Sequence, residues 1–274
     1  MTRQLTEEWA ADTSQFTPHQ FQTRALLSVS FNAMWNWMRT HFISYRRGIQ
    51  EHGLSWVIVG IEVEYHDRVT YFDADGFETV VEAVKLRKNR MLDFKVEFQI
   101  PGKRIATVQI RLFALKVTDE HSLSAVPSRV DKPLLNLFSS DEIDGYTRLG
   151  LNGAWLQHIE TTGRLLGAGV YPFSIHRHLC EVADQWCFIE LAGLVGAGRE
   201  ALVAAHPNEA GDLLRGLSSP MKRFNAELKH AYFFFDEGRV ETTSYLLNEG
   251  VYFIHRLHSR HNRDETYATV LEQF

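Results

Sequence analysis

Two stretches of the first half alternate apolar and polar positions. In WVIVGIEVEY, Val57, Val59, Ile61, Val63 and Tyr65 share one face. In DFKVEFQI, Phe94, Val96, Phe98 and Ile100 do the same. A period of two is the period of a strand with one face buried. FETVVEAVKL and RIATVQIRLFALKV read as two more strands, with DADG and Pro101-Gly102 as turns. The pattern predicts a four-stranded antiparallel meander. Ahead of it, the segment from Asn36 to Gly53 has no proline and ends on glycine. It predicts an amphipathic helix of about five turns. A further strand is expected near Leu26 to Phe31.

The second half repeats this order. FNAMW (Phe31–Trp35) resembles LNGAW (Leu151–Trp155), with Asn32 matching Asn152 and Trp35 matching Trp155. YFDADGFET (Tyr71–Thr79) resembles FFDEGRVET (Phe234–Thr242), with Phe72, Asp73, Glu78 and Thr79 recurring as Phe235, Asp236, Glu241 and Thr242. Leu151 to Gly167 is a helix candidate. FNAELKHAYFFF, VETTSYLL, VYFIHRLHS and ETYATVLEQF read as four strands joined by short turns. The residues between, about 170–221, contain Leu179, Val182, Ala183, Trp186 and Ile189 at helical spacing and predict a helical insertion. An internal repeat of this kind points to two related units.

Composition narrows the classes. The 274 residues are 45% hydrophobic and 23% charged, which is globular composition rather than disordered. A net charge of -5 argues against a general binder of nucleic-acid backbones. The two cysteines, Cys180 and Cys187, form no disulfide framework or Cys-rich zinc motif. The acidic N-terminus carries no signal peptide, and no run of about 18 apolar residues suggests a membrane span. A cytoplasmic protein is expected. His255, His258 and His261 lie three apart in a strand pattern and do not converge, so no metal is expected. Gly196-x-Gly198 lacks the parallel setting of a dinucleotide site and reads as a loop. Arg46-Arg47 and the basic run from Lys85 to Arg90 are candidates for contact with phosphate groups.

A long helix followed by an antiparallel meander, twice, resembles the hot dog fold in its double form. The resemblance implies an α+β double hot dog with an N-terminal repeat over 21–140 and a C-terminal repeat over 141–274. The helix LNGAWLQHIETTG is similar to that of hot dog acyl-CoA thioesterases, in which a glycine at the helix start is followed seven residues later by a catalytic acid. Gly153 and Glu160 have that spacing. The family usually has a His or second Gly beside that glycine, where this chain has Asn152.

The resemblance implies that Glu160 is base or nucleophile and faces helix-start amides near Asn32 and Ala33. Those amides would hold the developing oxyanion of a thioester. Asn32 and His41 are then possible orienting groups. Trp35, Trp155, Asn152, Gly153 and Ala33 would contact substrate. The first helix has Thr40 where the second has Glu160, so the two sites should differ.

The function implied is hydrolysis of acyl-CoA or an acyl carrier protein thioester, without metal or redox cofactor, by a pseudo-dimeric monomer or a homodimer. Acyl transfer, decarboxylation or dehydration of carrier-bound chains, and non-catalytic thioester binding, are the alternatives, since a fold does not settle a function.

Overall fold

The computed structural model describes residues 3–87, 89–119, 123–138, 153–207, 210–261 and 264–274. The first half runs β1 (Gln4–Ala10), α1 (Thr23–His41), α2 (Tyr45–His52), β2 (Leu54–Tyr65), β3 (Gly76–Arg87), β4 (Met91–Ile100) and β5 (Lys103–Asp119), followed by β6 (Ser124–Pro127) and α3 (Lys132–Leu135). The second runs α4 (Gly153–Thr162), β7 (Arg164–Ser174), α5 (Leu191–Ala205), α6 (Ala210–Ser218), β8 (Arg223–Leu228), β9 (Glu237–Leu247), β10 (Gly250–Ser259) and β11 (Thr266–Gln273). Each of the eight stretches read as strands of the meanders contains a strand, though the one beginning at Phe224 stops at Leu228 and continues as a loop.

One antiparallel sheet carries both halves, in the order β1-β3-β4-β5-β2-β8-β11-β10-β9-β7, with β6 beside β5. The halves meet where β2 pairs with β8, from Gly60 opposite Glu227 to Glu64 opposite Arg223. Read outward from that seam, each half has the same strand order. This is the double hot dog. β7 is the counterpart of β1, and α5 is the counterpart of α1. The segment 170–221 is therefore the end of an edge strand plus the repeat's own helices, not an insertion. The motif pair at Thr79 and Thr242 does sit at equivalent places, one on β3 beside Phe98 and one on β9 beside His255. The FNAMW and LNGAW pair does not, because LNGAW runs into α4.

The misread elements have local reasons. The stretch expected as a strand, Leu26 to Phe31, lies inside α1. Its buried residues Leu26, Leu27, Ser30, Ala33, Met34, Trp37 and Met38 follow the three-four spacing of a helix face. The helix then ends at His41, and α2 begins after the Ser44 cap, whose hydroxyl accepts the Arg47 N–H. β7 hides behind Gly167, Gly169 and Pro172, which weaken strand propensity but are tolerated on an edge. Gly196 and Gly198 lie in the middle of α5, not in a loop.

The main core joins α1, α5 and one face of the sheet, with Trp37, Phe94, Phe98, Phe224 and Phe253 fully buried. α4 lies on the opposite face. There Ile159 and Leu156 meet Leu247, Tyr252, Ile254 and Leu271, and Tyr252 and Ile254 alternate along β10 with the core residues Val251 and Phe253.

The core of the second half is not wholly apolar. Thr242 Oγ1 lies 2.9 Å from His255 Nδ1, His255 Nε2 lies 3.2 Å from Glu272 Oε2, and Arg199 donates to Glu272 Oε2 at 2.6 Å. His255, Glu272 and Thr242 are at most 1% exposed. Burial raises the Glu272 carboxyl, but the Arg199 charge and the His255 hydrogen bond outweigh it and hold the pKa at about 2. Gly198 lets α5 approach this network. A Cβ there would come 3.0 Å from Thr242 Oγ1 and 3.1 Å from Val240 Cγ1. Gly198→Ala is expected to overpack the helix–sheet contact and destabilise the protein by about 1–3 kcal/mol, despite alanine's better helix propensity. A urea titration with unchanged midpoint would refute this.

Candidate active site

The seam between the halves holds a cleft of about 480 Å³. Its first wall comes from the N-terminal half. α1 supplies Phe31 and Trp35, α2 supplies Tyr45, and β2 supplies Ser55, Trp56 and Ile58. Leu112 and Leu115 of β5 close the floor. The second wall is the loop between β7 and α5, with Glu181, Trp186 and Phe188. Lys229 and His230 follow β8 at the edge. Phe31 meets Phe188 edge-on across the seam, with ring centroids 5.1 Å apart. A mostly apolar cleft with a few convergent polar groups is what a small-molecule site requires.

The β7–α5 loop is a tight structure. The Cys187 N–H donates to the Leu179 carbonyl and the Trp186 N–H to the Tyr232 carbonyl, both at 2.8 Å. The loop is tied to α1 by Arg24, whose guanidinium grips Glu190 through two hydrogen bonds of 3.0 and 2.6 Å. Glu181 stands on this loop and turns into the cleft. Its side chain is exposed at the cleft, and partial desolvation by the surrounding protein raises its carboxyl pKa. On the facing wall the Tyr45 hydroxyl lies 2.8 Å from Ser55 Oγ. Burial raises the Tyr45 pKa, and the charge of Glu181 adds to the rise. His230 Nε2 sits 2.7 Å from Glu265. The Trp186 Nε1 and Tyr232 hydroxyl are buried without partners. Burial raises the Cys187 thiol, so it is no poised nucleophile.

The residues expected from the sequence are dispersed. Of those among the described residues, Trp35 alone lines the cleft, against Tyr45 at 4.8 Å. Asn32 and Ala33 are in the interior of α1, which begins at Thr23, so their amides belong to the helix ladder and are not free donors. Asn32 is exposed and Ala33 buried. His41 ends α1, its carbonyl accepting from Arg3 at 2.7 Å and its ring beside Trp37. Glu160 is on α4, paired with Arg256 of β10 at 2.5 Å. Gly153 opens α4, and Trp155 lies 6.2 Å from Tyr252 on the outer face. The structure therefore does not bring Glu160 to the start of α1. Asn152 lies outside the described residues. Arg47 pairs with Glu51, and Lys88 lies outside the described residues. Among the described residues no group of three or more His, Cys, Asp or Glu could hold a metal ion, and no helix is long and apolar enough to cross a membrane.

Sequence reasoning passed over Glu181 because its loop was assigned to inserted helices. The signal available was position: an acid ahead of a repeat's central helix. A second cleft, about 410 Å³, occupies the equivalent place on the other side of the seam. There the loop before α1 contributes Gln20, an uncharged amide, and the turn after β2 contributes His66, Asp67 and Arg68. The two clefts differ in character, as the unequal repeats imply.

No protein-family model matches the sequence, and no curated protein matches it. Solved structures match it over nearly its whole length. A protein from Lactobacillus plantarum described as an oleoyl thioesterase shares 10% identity, with a TM-score of 0.75 over 99% of this chain and 95% of its own. The 12:0-ACP thioesterase from Umbellularia californica shares 11%, with a TM-score of 0.70 over 98% and 93%. An acyl-ACP thioesterase from Bacteroides thetaiotaomicron shares 10%, with a TM-score of 0.63 over 98% and 96%. At such identity the likeness is one of fold. This chain is a double hot dog protein with the architecture of the acyl-ACP thioesterases.

Proposed function

We propose that the protein hydrolyses an acyl thioester in the cleft at the seam. The observation that carries the reading is a carboxylate, Glu181, the one acid among the described residues that line this mostly apolar cleft, exposed on the loop ahead of a central helix. The acyl group would lie against Phe31, Trp35 and Trp56, where burial of apolar surface favours binding by about 25 cal/mol per Å². The pantetheine arm of coenzyme A or of a carrier protein would leave past Lys229 and His230, where the Lys229 ammonium suits its phosphate.

Glu181 acts as general base. A carboxylate with a raised pKa accepts a proton more readily, and matching that pKa to the working pH is what general-base catalysis demands. The acid therefore moves from Glu160, which is engaged by Arg256, to Glu181.

The test is free-thiol release from acetyl-, octanoyl-, lauroyl- and benzoyl-CoA and from the matching carrier-protein thioesters. Glu160→Gln is expected to keep the wild-type rate and Glu181→Gln to lose it. The reverse pattern would return the catalytic role to α4. A change in acyl mass without thiol release would indicate transfer or dehydration, and tight binding without turnover a non-catalytic carrier.

A further inference from the structure

A helix N-terminus is a natural source of amides for an oxyanion. At the entry to α5 two amides are already engaged. The Glu190 N–H bonds the Cys187 carbonyl at 3.0 Å, and the Leu191 N–H bonds the Phe188 carbonyl. The Cys187 and Trp186 amides bond Leu179 and Tyr232, as described above. The facing wall offers a thioester attacked beside Glu181 a separate donor.

We propose that the Tyr45 hydroxyl, held in place by Ser55, is that donor. Tyr45 is then a catalytic residue and Ser55 a positioning residue of the hydrolysis proposed above, on which this inference rests. Tyr45 is the first residue of α2, and its ring leans on Trp35 at 4.8 Å. Ser55 is 8% exposed at the start of β2 and lies 2.8 Å from the Tyr45 oxygen. When Ser55 donates to Tyr45, the phenolic proton is left to point into the cleft. The raised Tyr45 pKa keeps that proton on the oxygen near neutral pH. Two groups that each touch the cleft, one a carboxylate and one a neutral O–H donor, are what a water attack needs.

In the first step Glu181 takes a proton from water as the water oxygen bonds to the carbonyl carbon. The carbonyl π pair moves onto oxygen, where Tyr45 donates to it. The oxyanion then collapses, the C–S bond breaks, and the thiolate takes the proton back from Glu181. One thioester and one water give one carboxylic acid and one thiol.

The test compares Tyr45→Phe, Ser55→Ala, Ser55→Thr, Trp186→Phe and Glu181→Gln in the full chain, on the fastest substrate of the panel above. Loss of one oxyanion donor costs on the order of 10²–10³-fold in kcat. Tyr45→Phe is expected to show that loss with KM little changed and the circular dichroism spectrum intact. Ser55→Ala should lose less, and Ser55→Thr should recover part of the loss. A separation of kcat from KM, with rescue by threonine, is not what loss of packing would produce. If Tyr45→Phe turns over at the wild-type kcat while Glu181→Gln is inactive, the inference fails and the hydrolysis reading stands. If Trp186→Phe alone loses kcat, the donor is the indole N–H and the inference fails. If Tyr45→Phe does not fold, a wild-type kcat in Ser55→Ala overturns it. A fully active Glu181→Gln, or no thiol release from any substrate, overturns the hydrolysis reading itself.

Discussion

Glu181→Gln is expected to lower kcat for thioester hydrolysis by about 10²–10⁴-fold, the range for removal of a general base. The side chain keeps its size and loses only its proton affinity. KM should change little, since the apolar wall from Phe31 to Trp56 is untouched. The pH profile gives a second reading of the same group. A base must be ionised to act, so the wild-type rate falls as pH drops through the Glu181 pKa. Partial desolvation raises that pKa, which places the fall above the usual carboxylate range. The acid limb should be missing from the residual activity of Glu181→Gln. An acid limb that persists unchanged in the variant would assign it to another group, with His230 beside Glu265 the nearest alternative in the cleft.

Glu272→Gln is expected to destabilise the fold by about 3–5 kcal/mol at neutral pH, because it leaves the mostly buried Arg199 guanidinium without its anion. Equilibrium urea unfolding measures this directly. Replacing both groups, as Arg199→Met with Glu272→Met, should recover much of the loss, since the desolvation cost disappears with the charges. An additive double variant would show that the ion pair is not the source.

The same group makes stability depend on pH. The folded pKa of about 2 is depressed below the unfolded carboxyl value. The resulting stabilisation is fully present above the unfolded value, near pH 4.3 for a glutamate, and is lost as pH falls toward 2. In Glu272→Gln this portion of the acid transition should vanish. The network also explains why α5 carries glycine at 198: the helix must come close to the sheet for Arg199 to reach Glu272.

Much of this fold was legible in residue order. The alternation of Phe94, Val96, Phe98 and Ile100, and its echo in the second half, marks strands because one face of a sheet is buried and its period is two. The pairing of Thr79 with Thr242 marks a true repeat, for both sit on the third strand of their half. Trp35 was picked out as a site residue, and it does line the cleft. The other described residues expected at the site lie away from this cleft for one reason. The likeness between FNAMW and LNGAW assigned the repeat's helix to α4. From there Glu160 was assigned the acid's role, whereas the loop ahead of α5 is the one that lines the cleft at the seam. β1 escaped notice because acids at Glu7 and Glu8 interrupt its apolar alternation.

By itself the sequence determined the strands, their antiparallel succession and the presence of two units, because these follow from local periodicity and short turns. Which helix each unit wraps, and which carboxylate faces the cleft, was decided only by tertiary structure. α4 and α5 both carry an apolar stripe, Leu156 and Ile159 in one and Leu191, Val195 and Leu202 in the other. A stripe says that a helix is covered on one side, not by which face of the sheet. That choice depends on β2 finding β8, a contact between residues more than a hundred positions apart. Its pairing brings Glu181 opposite Tyr45 and leaves Glu160 on the far side with Arg256.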